Sequence, residues 1–61
     1  MNAKQLIRLL ETAGWREARI RGSHRIYKHH ESNQTIVVPY HGSDDITTGT
    51  LNKILKDAGI K

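Results

Sequence analysis

Histidine is the one side chain whose ordinary pKa lies near neutrality, and this 61-residue chain has four: His24, His29, His30 and His41. Their contexts differ. His24 follows Gly22-Ser23 and precedes Arg25, inside a basic stripe of Arg16, Arg19, Arg21, Arg25 and Lys28 that is opposed only by Glu17. A phosphate and a proton-transfer group can meet there. His29 and His30 adjoin a turn-like Glu31-Ser32-Asn33 cluster, where the default reading is a solvent-exposed pair at a hairpin tip. His41 lies beyond Pro39, in a loop that carries Gly42, Asp44 and Asp45. A histidine in a small domain is an ordinary surface or capping residue about five times out of six before context is weighed.

RNA offers chemistry that needs little machinery. A base removes the proton of a 2′-hydroxyl, the oxygen attacks the adjacent phosphate, and a cyclic phosphate results. One imidazole typically contributes about 100- to 10,000-fold, so further acceleration must come from cations and backbone donors at the phosphate. His24 is the candidate proton-transfer group, and Arg19, Arg21, Ser23, Arg25 and Lys28 are the candidate RNA contacts. Residues alone do not single out a second proton-transfer group for the leaving 5′-oxygen, and water can fill that role.

Other chemistries fit less well. The histidines with Asp44 and Asp45 match no zinc spacing, and no cysteine supports a metal site, so neither metal nor cofactor is expected. Ser23 lacks the strand-turn-helix elbow of a reactive serine. Thr48-Gly49-Thr50 lacks the longer glycine-rich run ending in Lys-Ser or Lys-Thr of a nucleotide-binding loop. A helix start can still receive phosphate through its free N–H groups, which makes Thr48 and Thr50 secondary RNA-contact candidates.

The elements that must hold these residues can be read from periodicity. Asn2 with Gln5 forms a capping box, Leu6, Leu9, Leu10 and Ala13 follow at helical spacing, and Gly14 supplies a left-handed stop. The grammar recurs at the other end: Thr47 can cap, Ile46 and Leu51 take staple positions, Ile54, Leu55 and Ala58 continue the stripe, and Gly59 stops it. Three extended segments lie between, Trp15 to Ile20, His24 to His29 and Thr35 to Pro39, with spacings too short for parallel crossovers. The expected architecture is α+β, in the order α-β-β-β-α, with a three-stranded antiparallel sheet and two helices on one face. Trp15, Tyr27, Ile36 and Val38 are expected inward. Alternation from Tyr27 then sends Ile26 and His24 to the open face.

Sixty-one residues make one domain, 1–61, with a small interior and marginal stability. Ten lysines and arginines against six acids give a formal charge of +4, which favours polyanionic partners. No stretch approaches the roughly 20 apolar residues of a membrane helix, and the first apolar pair, Leu6-Ile7, is broken at once by Arg8. With no cysteine, a reducing cytoplasm is the expected compartment.

From Lys4 to Ile60 the chain resembles the HicA toxins of prokaryotic toxin-antitoxin modules. The matching pieces are Leu10 with Ala13-Gly14-Trp15, the Arg21-Gly22-Ser23-His24 turn with Tyr27, Ile36-Val37-Val38-Pro39 with His41, and Gly49-Thr50-Leu51 through Ile54-Leu55 to Ala58-Gly59-Ile60. Their order and spacing are more specific than any one piece. The resemblance implies a fold similar to a double-stranded-RNA-binding domain, cleavage of messenger RNA that blocks translation, and a HicB-type antitoxin that covers the active surface. The family's catalytic histidine falls on His24. Thr48 departs from the proline or basic residue common before the Gly-Thr-Leu run. Two rival readings are a non-catalytic RNA-binding module of the same fold and a subunit whose basic face docks an acidic protein. The absence of Lys and Arg from Thr47 to Asn52 counts against the first, because a double-stranded-RNA reader typically clamps phosphates with lysines there.

Overall fold

The computed structural model describes residues 1–41 and 44–60, so Gly42 of the expected loop lies outside the described residues. Its elements are α1 (Ala3–Thr12), β1 (Arg16–Arg21), β2 (His24–Lys28), β3 (Thr35–Pro39) and α2 (Thr48–Asp57). The strands form one antiparallel sheet in the order β1-β2-β3, which is the expected α-β-β-β-α architecture. Among the described residues, no helix is long and apolar enough to cross a membrane.

Both helices end by the same device and begin differently. Gly14 (φ 97°) lets the N–H of Trp15 reach the Leu10 carbonyl at 2.9 Å and its own N–H reach Glu11 at 3.0 Å, while Gly59 (φ 76°) repeats this with Ile60 on Leu55 at 3.0 Å and its own bond to Lys56 at 3.1 Å. These are Schellman closures, which need a left-handed residue. At the start of α1, the Asn2 side chain accepts from the Gln5 N–H and the Gln5 side chain accepts from the Asn2 N–H, each at 2.9 Å. Thr47 precedes α2 but its side chain makes no capping bond. The third residue of α2 is Thr50 rather than Glu or Gln, so a reciprocal box cannot form.

Leu6 and Leu10 of α1 and Ile54 of α2 pack with Ala3, Trp15, Tyr27, Ile36 and Val38 in one core, with Ile46 and Leu51 packed against it. All four residues expected inward are there. Each large side chain removed from water in this way contributes about 1.5–3 kcal/mol. Ile26 is only 9% exposed yet stands outside that cluster, on the uncovered side of the sheet. In the central strand it has Arg19 and Val37 as cross-strand partners on either side, and such neighbours shield it without a helix.

The strand limits differ from the sequence reading at three points: β1 runs from Arg16 to Arg21 rather than from Trp15 to Ile20, and β2 stops one residue before His29. Trp15 belongs to the helix closure, and β2 ends at Lys28 because His29 turns back toward that closure. His29 is not part of an exposed pair: its Nε2 lies 3.0 Å from the Ala13 carbonyl and its Nδ1 accepts the Glu31 N–H at 3.0 Å. The two bonds together define the tautomer, with the proton on Nε2. The ring meets Trp15 edge-on at 5.3 Å between centroids. A Cβ on Gly14 would sit 2.6 Å from His29 Nε2, so close approach as well as φ requires glycine there. His30 stacks on His29 at 4.8 Å and faces Glu31 at 3.6 Å.

Candidate active site on the open sheet face

His24 opens β2 directly after the two-residue Gly22-Ser23 connection. Gly22 has φ 59° and Ser23 does not have a positive φ, the pattern of a hairpin turn with glycine at its first central position. Register then sets the neighbours. His24 pairs with Arg21 of β1 on one side and with Pro39 of β3 on the other. The next row on that face is Arg19, Ile26 and Val37, followed by Lys28 with Thr35. His24, Arg19, Arg21 and Lys28 are all exposed. Among the described residues, none is seen to bond the His24 imidazole or to pair with the charges of Arg19, Arg21 and Lys28. The open face is thus an apolar strip of Ile26, Val37 and Pro39 bordered by three cations and an imidazole.

Two members of the basic stripe are used elsewhere. Arg25 alternates to the helix side, where its guanidinium lies 3.3 Å from Glu17 Oε1 and 4.1 Å from the centre of the Tyr40 ring. The structure therefore does not bring Arg25 together with His24, although the two are adjacent in sequence. Arg16 donates to the carbonyls of Glu11 at 3.0 Å and Trp15 at 2.9 Å, tying β1 to the end of α1. Burial, followed by the negative charges of Glu17 and Glu11, raises the Tyr27 phenol above its ordinary value, and Arg25 partly offsets this.

Ser23 is exposed in the turn, and its carbonyl accepts from the Tyr40 N–H at 2.7 Å. That bond makes His24 and Pro39 a non-hydrogen-bonded pair, the closer of the two antiparallel spacings. Thr50 lines a cleft of about 220 Å³ together with Pro39, His41, Asp44, Asp45, Ile46 and Thr47, and Pro39 is also the cross-strand partner of His24. Thr48 does not line it. His41, placed by sequence in a loop and in the family resemblance but not put forward as a site residue, borders this cleft. Counting two positions on from Pro39 along the alternation of β3 would have flagged it. Among the described residues, no three His, Cys, Asp or Glu side chains converge on a common point where a metal ion could be held.

The fold and this face define a small basic α+β domain whose exposed histidine stands among cations on a sheet surface left bare by the helices. A family model described as the HicA toxin of bacterial toxin-antitoxin matches residues 3–60. The chain belongs to that family. Membership makes it a toxin of the toxin-antitoxin type and implies an antitoxin partner. No curated protein matches it.

Proposed function

We propose that this protein is a metal-independent endoribonuclease that cleaves messenger RNA, blocks translation in the cytoplasm and is neutralised by a HicB-type antitoxin. One observation carries the reading: His24 is exposed at the end of the central strand, on the same face as Arg19, Arg21 and Lys28. The strip of Ile26, Val37 and Pro39 receives the nucleotides, the cations neutralise the phosphodiester, and the His24 imidazole takes the 2′-hydroxyl proton as the oxygen attacks phosphorus. The arginines act where charge accumulates on phosphate in the transition state, the place where electrostatic stabilisation is most effective. Ser23 and Thr50 add hydrogen bonds at the edges of the same surface.

Incubating the purified chain with labelled RNA in excess chelator tests the reading. We expect cleavage by the unaltered protein and a loss of about 100- to 10,000-fold in His24→Ala, without loss of the folded circular-dichroism spectrum. Binding without cleavage by the unaltered chain would replace the enzyme with an RNA-binding module. In cells, expression of the chain alone arrests growth and co-expression of its antitoxin restores it.

A further inference from the structure

We infer that His41 is the second proton-transfer group, a general acid that protonates the departing 5′-oxygen; the inference rests on the nuclease reading above. The reaction has two ends. His24 accepts the 2′-hydroxyl proton and a new P–O2′ bond forms. The P–O5′ bond breaks, and the leaving oxygen needs a proton to depart as an alcohol. Imidazolium at His41 supplies it, giving a 2′,3′-cyclic phosphate and a 5′-hydroxyl. Exchange with solvent then resets both rings.

Register brings the two histidines to one end of the sheet. His24 pairs with Pro39, and the Tyr40 N–H bond to Ser23 continues the ladder one step beyond β3. His41 follows directly, two residues on from Pro39, the cross-strand partner of His24. Diagonal neighbours of this kind stand about 7–8 Å apart at the backbone, close enough for two rings to flank one phosphate. Gly22, in the turn before His24, carries no side chain to crowd that end of the sheet, and a Cβ there would meet nothing within 4 Å. The cleft beside His41 is walled by Pro39, Ile46 and Thr50 together with Asp44 and Asp45, so it offers the sugar or base of the leaving nucleotide a place to lie and keeps its phosphates outside.

The other histidines are excluded by position. His29 has both ring nitrogens committed, to Ala13 and Glu31, and His30 faces Glu31 while stacked on His29. Both follow the far end of β2, five or more residues from His24 and therefore roughly 16 Å away along the strand.

The test compares ordinary RNA with RNA carrying sulfur in place of the scissile 5′-oxygen, a leaving atom that departs as thiolate and needs no acid. His41→Ala is expected to slow cleavage of ordinary RNA by about 100- to 10,000-fold and of the sulfur-bridged RNA by less than about tenfold, while His24→Ala slows both. His41 is exposed, so the variant should keep its fold, and His41→Gln run in parallel should give the same split. Cleavage of ordinary RNA by His41→Ala within about threefold of the unaltered protein, or an equal loss on both substrates, overturns the assignment alone. Failure of the unaltered protein to cleave either RNA overturns the nuclease reading and this assignment together.

Discussion

Val37 and Val38 are consecutive on β3, yet Val38 is fully buried beneath the helices and Val37 is 46% exposed on the opposite side. The same division runs along β2, where Tyr27 is 1% exposed in the core and His24 stands open to solvent. One side of the sheet holds the domain together, and the other is free to carry charge and chemistry. A three-stranded sheet with two helices can cover one face only, so the uncovered face is what a chain this short has available for a site. Ile26 qualifies the division. It is nearly as buried as the core without a helix above it, which gives the open face a rigid apolar centre.

Substitutions on the two sides should therefore separate stability from activity. The largest effect is expected for Tyr27→Ala, at about 3–5 kcal/mol by analogy with other buried aromatics. A domain of this length has roughly 3–9 kcal/mol in total, so denaturant titration should find the variant largely unfolded. A folded Tyr27→Ala protein of near-normal stability would break the comparison.

Next is the valine pair. Val38→Ala should cost roughly 2 kcal/mol and Val37→Ala under about half of that, measured as shifts in urea midpoint at constant slope. Equal costs would mean that both faces carry the fold.

A milder effect is expected at alkaline pH. The Tyr27 phenol is raised from 10.0 by burial and by Glu17 and Glu11, so both folded and unfolded chains keep it neutral below about pH 10. Above that the unfolded chain loses its proton first, and stability falls until pH passes the folded value. Tyr27→Phe should remove this part of the slope in a pH series of thermal melts.

The smallest effect on stability is expected for the double variant Arg19→Gln/Arg21→Gln, within about 0.5 kcal/mol of the unaltered protein. Its RNA affinity should fall, and the dependence of log K on log salt should flatten by about 0.7 for each phosphate of a single strand that is left unneutralised. An unchanged salt slope would show that these arginines do not touch RNA.

The parts of the molecule legible in the sequence are those fixed by local rules. Asn2 with Gln5, the glycines at 14 and 59, and the alternation around Tyr27 each act over a few residues, and each forms as its pattern implies. The rest depends on interactions between distant segments. Nothing near His29 in the chain indicates that its partner is the carbonyl of Ala13, sixteen residues earlier. Nothing next to Thr47 reveals that its hydroxyl leaves the start of α2 uncapped. At the site, the position of His24 followed from alternation, whereas the side on which Arg25 falls was hidden by its being next in sequence. Charge density along a strand does not say how the charges divide between its two faces.

That division has a source in β1, where the pairing with β2 steps from Glu17 opposite Tyr27 to Arg19 opposite Ile26, leaving Ala18 as an extra residue. In an unbroken strand Glu17, Arg19 and Arg21 would all point the same way, and the carboxylate would stand beside the cations. The additional residue reverses the phase, sending Glu17 under the sheet to Arg25 while both arginines stay above. A single alanine acts in this way as a charge sorter. It keeps a competing anion off the face proposed to take RNA, so drawing Ala18 into regular pairing, which would bring Glu17 back among the arginines, would weaken RNA capture without changing one charged residue.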